Sequence, residues 1–236
     1  DTIGVIVSDL GTIGNSRMLQ AIAVAAEARG FALTVVTATG RDAIAAGFAR
    51  LHDQGVDGAV ILNEATASAH GLDVPAGLAL VVVDSPTDDR FVVVQTDHAA
   101  GARAATEHLI SLARGPVHHL AGPRDSFAAT ERERGWRAAL ESRGIPVPEL
   151  VRGDWTAASG YSAGAALAAR PEVTAIFATN DQMALGAMRA LADAGRSVPG
   201  DVSIVGFDDV EDAREYQPPL TTIHQHFDEI GSRAPA

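Results

Sequence analysis

The sequence predicts an α/β fold of two Rossmann-like lobes, each a parallel sheet flanked by helices, and three observations predict it. Short apolar runs, such as Val5–Val7 and Val81–Val83, alternate with stretches whose apolar residues recur at helical spacing. The runs are apolar throughout rather than at every second residue, as in strands buried on both faces. The alternation occurs in two sets of similar size, joined without a low-complexity spacer, which implies two lobes hinged around a central cleft.

In the first set, IGVIVS at 3–8 reads as a strand. A helix over 16–29 follows, with Leu19, Ile22, Ala23 and Ala26 on one face and Gly30 as its stop. After the strand FALTVVT at 31–37, Asp42 opens a helix that stacks Ile44, Phe48 and Leu51 and ends near Gly55. The strands DGAVIL (57–62), LALVVVD (78–84) and FVVVQ (91–95) complete this set. Asp97 begins the second set as the cap of a helix carrying Ala102, Ala105, Leu109 and Leu112. VHHLAG (117–122) is then a strand, and a helix after Ser126 carries Trp136 and Leu140 as packing residues. A short strand near 150–152, a helix over 157–169, the strand TAIFAT, a helix over 181–194, and the strands VSIVGF and LTTIHQ follow. The lobes are expected to comprise 1–96 plus 226–236, and 97–225.

Composition narrows the function. Hydrophobic residues make up 47% of the chain and aromatics only 5%, so the core must rest on Ala, Val, Leu and Ile. A net charge of −12 repels phosphate backbones, so this segment alone is a poor nucleic-acid binder. All 18 basic residues are Arg, which reads as the codon usage of a GC-rich genome. The absence of cysteine excludes disulfides and thiolate metal sites. There is no apolar run long enough to span a bilayer and no basic-then-apolar signal segment. The chain opens at Asp1-Thr2 on the edge of a strand without an initiator Met, and is expected to be cut from something longer.

Polar residues recur where strands should end: Ser8, Asn63, Asp84, Asn180-Asp181-Gln182 and Asp208-Asp209. The carboxyl ends of an open parallel sheet are where small ligands bind. Asn offers donors and an acceptor and Asp offers acceptors, the chemistry that grips vicinal hydroxyls. Asp209 serves equally well as a holder of the loop after it. His118 and His119 are adjacent on a strand and point to opposite faces, and His224 and His226 lack a third ligand at metal spacing. No dinucleotide or P-loop glycine motif, no G-x-S-x-G and no cysteine nucleophile is present. Asp84 and Asp208 could flank a glycosidic bond as glycosidase carboxylates do, but two-lobed binding proteins use such a pair without chemistry.

The segments LAGP (120–123), Arg132…Gly135-Trp136, GDW (153–155), NDQMALGAMRAL (180–191), VSIVGFDD (202–209) and PPLTTI (218–223) carry a close resemblance to a known family. With them, essentially the whole chain resembles the effector-binding domain of the lactose-repressor (LacI/GalR) regulators of bacterial transcription. The resemblance implies a periplasmic-binding-protein-like fold with a small effector in the central cleft. It assigns effector contacts to Ser8, Asn63, Asp84, Arg132, Trp155, Asn180, Asp208, Gln225 and Phe227. Arg132 can then donate a bidentate pair to ring and hydroxyl oxygens, and Trp155 can offer its face to the C–H side of a pyranose. One cation among carboxylates favours a neutral sugar over a phosphosugar.

Two departures affect the choice of sugar. The loop Asp9–Asn15 lacks the Asn-Pro-aromatic sequence common in the family, and Ala128 stands where a serine lies near the arginine. The function so implied is that of a cytoplasmic, sugar-sensing repressor domain, not an enzyme, with neither cofactor nor metal. Its partners would be a small carbohydrate, a second copy in a homodimer or tetramer paired through helices 16–29 and 41–54, and operator DNA. Operator would be held by an upstream helix-turn-helix domain, and the family continues beyond Phe227 through another helix and strand. The alternative is a solute-binding protein of a sugar transporter. Cleft residues such as Arg132 and Asp208 are expected to contribute to affinity and little to fold stability.

Overall fold

Runs of Val, Ile and Ala with no polar alternation can be buried only between two layers of helix, and that is how both sheets form. The computed structural model describes residues 1–233 apart from 64, 66–70, 72, 87–89 and 113–114. The chain divides into two compact units, Asp1–Thr96 with Asp125–Ala128 and His226–Ala236, and Asp97–Arg124 with Ala129–Gln225. Residues 125–128, which the sequence reading gave to the second lobe, thus count with the first unit.

The first unit runs β1 (Thr2–Val7), α1 (Ile13–Ala28), β2 (Ala32–Thr37), α2 (Arg41–Asp53), β3 (Gly58–Leu62), β4 (Ala79–Val83) and β5 (Val92–Val94). The second runs α3 (His98–Ser111), β6 (His118–Ala121), α4 (Phe127–Glu141), β7 (Val151–Arg152), α5 (Ala157–Ala168), β8 (Ala175–Ala178), α6 (Asp181–Asp193), β9 (Ser203–Asp208), a 3-10 turn (Glu211–Glu215) and β10 (Thr221–His224). The first two residues of α4 fall in the first unit, and α7 (Phe227–Arg233) also belongs to it. The sheet orders are β2-β1-β3-β4-β5 and β10-β9-β8-β6-β7, with every described pairing parallel. Both share one doubly wound topology, whose strand order reverses between β1 and β3 and between β6 and β8.

Alternation along each strand supplies two cores per sheet. Ile6, Val36 and Ile61 meet Ile44, Phe48 and Leu51 of α2 on one face of the first sheet. Val5, Val7, Val60 and Leu62 meet Met18 and Ile22 of α1 and Phe227 and Ile230 of α7 on the other. In the second sheet, Leu120, Ile176 and Ile204 face Leu167, Met183 and Leu191 of α5 and α6. Phe177, Val205 and Phe207 face Leu109, Trp136 and Leu140 of α3 and α4. Trp136 is packing, as read, and its Nε1 donates to the Val117 carbonyl at 2.8 Å.

Two helix starts differ from the sequence reading. Helix α1 begins at Ile13 rather than residue 16, inside the glycine-containing loop. That loop is tied down by Asn15, whose Nδ2 donates to the Asp9 carbonyl at 2.7 Å, and by Ser16, whose hydroxyl donates to the Leu10 carbonyl at 2.6 Å. Helix α2 is preceded by Gly40 at φ 86° rather than capped by the Asp42 side chain, which lies in its first turn. Asp97 does cap α3, accepting from the Ala100 N–H at 2.9 Å.

Close helix packing explains part of the NDQMALGAMRAL segment. A Cβ on Gly186 of α6 would stand 2.0 Å from the Ala157 carbonyl oxygen, and one on Gly160 of α5 would stand 2.4 Å from that of Met183. The two backbones touch, so neither position has room for a methyl group.

Two buried titratable groups in the second unit have opposite pH signatures. Asp181 accepts from the Thr222 hydroxyl at 2.6 Å and the Val210 N–H at 2.9 Å, so it holds the β9–β10 connection rather than facing a ligand. Burial pushes its carboxyl up to about 6, against the pull of those hydrogen bonds. His119, stacked on Phe177 at 4.7 Å, is drawn down to about 4 by burial, partly countered by its bond to the Phe177 carbonyl.

A raised carboxyl favours the folded state below its unfolded pKa, and that contribution is lost as pH rises through about 6. A depressed imidazole contributes above its unfolded pKa, and that contribution is lost as pH falls towards about 4. Each shift corresponds to about 3 kcal/mol. In urea denaturation at pH 4, 5.5 and 7, Asp181→Asn should therefore gain on wild type as pH rises. His119→Phe should instead lose less than wild type as pH falls. A second expectation concerns glycine. Gly186→Ala should lose about 3 kcal/mol or fail to fold. Gly14→Ala, whose Cβ meets nothing within 4 Å at a helical position, should be neutral or gain about 0.5–1 kcal/mol by the same urea measurement.

Candidate functional site

Strand ends decide where polar side chains can appear. In the first unit, Ser8, Asn63 and Asp84 directly follow β1, β3 and β4 at the carboxyl edge of the sheet. Ser8 is half-buried, and its carbonyl accepts from the Thr39 hydroxyl at 3.1 Å. Asn63 (φ 47°) and Asp84 (φ 52°) both adopt the left-handed backbone conformation. Asn63 donates from Nδ2 to Asn15 Oδ1, and Asn15 is itself buried. Asp84 is also buried and accepts from the Thr96 N–H at 3.0 Å, which ties the end of β4 to the chain leaving β5.

The second unit brings together Arg132, Trp155, Asn180, Asp208 and Gln225. Arg132 lies on α4 and is 4% exposed. Its Nη1 donates to the Thr179 carbonyl, and its Nη2 to Gln225 Oε1 at 3.1 Å and Asp208 Oδ1 at 3.4 Å. Its Nε donates to His98 Nδ1 at 3.4 Å. The guanidinium lies 3.8 Å from the Phe207 ring centroid and 5.6 Å from that of Trp155, both within cation–π reach. Asp208, the last residue of β9, is 6% exposed and has φ 112°.

Asn180 is in the same cluster, with its side chain engaged in holding the fold. Its Oδ1 accepts from the Met183 N–H at 2.9 Å as the cap of α6, and its Nδ2 donates to the Trp155 carbonyl at 3.0 Å. The second bond secures Trp155 at φ 78°. The Trp155 indole N–H is buried with no hydrogen-bond acceptor among the described residues.

Phe227, at the start of α7, packs into the first unit's core beside Val5, Met18 and Ile22. Asp209 pairs with His224 of β10 at 2.8 Å on the surface, so it holds the loop that follows it, as Asp181 also does from within. The expectation that Arg132 and Asp208 matter little for stability is corrected. Both are buried, and removing one partner of a buried ion pair is strongly destabilising. His98, the first residue of α3, and Asn15 escaped the sequence reading. Neither sits at a strand end, and only the packing brings them to Arg132 and Asn63. Among the described residues no group of three or more His, Asp or Glu side chains could hold a metal.

All five non-glycine residues with positive φ among the described residues, Asn63, Asp84, Trp155, Asp208 and Asp209, lie at or just past strand carboxyl ends. Asn and Asp tolerate the left-handed region, but Trp155 and the wide φ of Asp208 are costly. The cluster of the second unit can offer one guanidinium, one carboxylate, an indole face and an indole N–H to a polyhydroxylated molecule.

Residues 106–235 match the description of a periplasmic binding protein-like domain. The lactose operon repressor of Escherichia coli (strain K12) is 38% identical over 239 residues, 97% of this chain and 65% of the repressor. A lac repressor dimer bound to operator and the anti-inducer ONPF superposes with a TM-score of 0.88 and 33% identity, covering 98% of this chain and 82% of that one. A complex of the transcriptional regulator CelR with cellobiose superposes with a TM-score of 0.90 and 31% identity, covering 99% and 75%. The chain spans about half to two-thirds of the length of the curated relatives it matches. With its two doubly wound units and this kinship, the chain belongs to the lactose-repressor family, whose periplasmic-binding-protein-like, effector-binding domain it carries.

Proposed function

We propose that this chain senses a small neutral carbohydrate and that the regulator containing it represses transcription until the sugar alters its hold on operator DNA. The observation that carries this reading is the gathering of positive-φ polar or amphipathic residues, Asn63, Asp84, Trp155 and Asp208, at or just past strand carboxyl ends. Each is a polar or amphipathic side chain at a strand's carboxyl end, in a conformation that costs about 1–3 kcal/mol where a residue tolerates it poorly. Such residues gathered at one edge of each sheet support ligand recognition there. Ser8, Asn63 and Asp84 in the first unit, and Arg132, Trp155, Asn180, Asp208 and Gln225 in the second, are the groups proposed to meet the sugar. Phe227 would assist from within the core.

A single guanidinium shared with Asp208 suits hydroxyls and a ring oxygen and lacks the excess charge a phosphosugar needs. The partnerless indole N–H of Trp155 supplies a donor that a sugar oxygen would satisfy. The domain binds its ligand without transforming it, and the sugar acts through its different affinities for two states of the regulator. Helices α1 and α2 are proposed to pair across the two-fold axis of a homodimer, from which a tetramer could be built. Val24 of α1, 63% exposed, supports such a contact. No described helix is long and apolar enough to cross a membrane, which suits action on DNA in the cytoplasm.

Thermal-shift and calorimetric titration with lactose, cellobiose and ribose should give saturable binding to at least one of them and none to glucose 6-phosphate or hypoxanthine. Asp208→Asn should weaken that binding by about 1.5–3 kcal/mol. Arg132→Ala should do the same and also lower folding stability by about 3–5 kcal/mol. Binding of the phosphosugar or the purine alone would refute the neutral-sugar reading. With its net charge of −12, the chain by itself should sediment as a dimer yet leave double-stranded DNA unretarded at physiological salt. Gel retardation by this segment alone would refute the assignment of operator contact to another domain.

A further inference from the structure

We infer that His98 is the residue that positions Arg132, so that sugar recognition depends on a histidine that lies outside the set of assigned contacts. This inference rests on the proposed sugar reading only for its effect on affinity. Its structural part stands alone.

The backbone makes the meeting unavoidable. A Cβ on Gly135 of α4 would stand 2.1 Å from the Ala99 carbonyl oxygen, so α4 presses directly on the first turn of α3. Asp97 fixes that turn by capping it. His98 is its first residue, and Arg132 lies one helical turn before Gly135, so the two side chains face each other across the helix contact. His98 is 1% exposed, and its Nδ1 accepts from both Nε and Nη2 of Arg132 at 3.4 Å. Its ring also lies against Phe207, at 6.0 Å between centroids, the same ring that carries the guanidinium.

An imidazole that accepts at Nδ1 is neutral and carries its proton on Nε2. The guanidinium is planar, so an acceptor at the Nε–Nη2 edge fixes the rotation of the whole fork. The Thr179 carbonyl holds Nη1, while Asp208 and Gln225 hold Nη2. His98 reaches Nε as well as Nη2, and without it the fork loses the acceptor that sets the tilt of that edge, which loosens its aim at the sugar.

The test begins with the wild-type chain. In a long-range proton–nitrogen correlation spectrum, the His98 ring, assigned through His98→Asn, should show the Nε2–H tautomer. The Nδ1–H tautomer would overturn the inference without any substitution that perturbs folding. The Arg132 Nε–H resonance, identified by its loss in Arg132→Lys, should exchange slowly with water. His98→Leu should speed that exchange by about tenfold, and His98→Asn, whose carbonyl oxygen replaces Nδ1, should retain slow exchange. An unchanged resonance in His98→Leu would also overturn it.

For whichever of lactose, cellobiose and ribose the wild type binds, His98→Leu should weaken affinity by about tenfold and His98→Asn by less than about threefold. In an Arg132→Lys background the His98→Leu effect should largely vanish, because the two act through one fork. Additive losses would instead mark a merely structural histidine and sink the idea. If the resonances behave as stated and none of the three sugars binds, the positioning role is supported and the sugar reading fails.

Discussion

Parallel pairing is the constraint on which the rest of this molecule depends. Because the strands of each sheet run the same way, all their carboxyl ends gather at one edge, and every connection must return over a face as a helix. Burial on both faces disfavours polar side chains along the strands, and an exception such as His119 must find an internal partner. That restriction ends at a strand's last residue and the one just past it, where Asp208 and Ser8, Asn63 and Asp84 respectively stand. Turning the chain away from the sheet at those points takes three of the four into positive φ. The polar side chains and the positive φ angles thus have one geometric origin.

Within the second unit a single guanidinium organises that edge. Arg132 collects partners from α3, from the end of β8, from β9 and from beyond β10. In surroundings of low dielectric such a cation requires full satisfaction, and its partners are correspondingly fixed by it. The recognition proposed for this residue is therefore coupled to folding. The Phe207 ring beneath the guanidinium makes the apolar core the floor of the polar cluster.

Neighbouring polar residues have divided these duties between them. Asn180 and Asp181 are adjacent after β8, yet Asn180 caps α6 and secures Trp155 while Asp181 turns towards β9 and β10. The same carboxylate that would serve a ligand if exposed becomes a structural group when buried, and its raised pKa records the change. His119 lies in that unit's core, and its opposite pH response offsets part of that of Asp181 across the mildly acidic range.

Local pattern by itself determined the alternation of strand and helix, the two sets, the stops at Gly30 and Gly55 and the cap at Asp97, because each depends on neighbours a few residues away. It also determined which residues lie at strand ends, since a strand's end is visible as the end of an apolar run. Tertiary structure alone decided what those residues do there. Whether Asp181 faces a ligand or Thr222, whether Arg132 is a solvated charge or the centre of a buried cluster, and whether Phe227 is core all depend on contacts distant in sequence. The start of α1 at Ile13 depended on hydrogen bonds from Asn15 and Ser16 that no spacing rule encodes. His98 shows the limit most clearly. Thirty-four residues separate it from Arg132, and only the backbone contact at Gly135, a property of two packed helices, brings them within hydrogen-bonding distance.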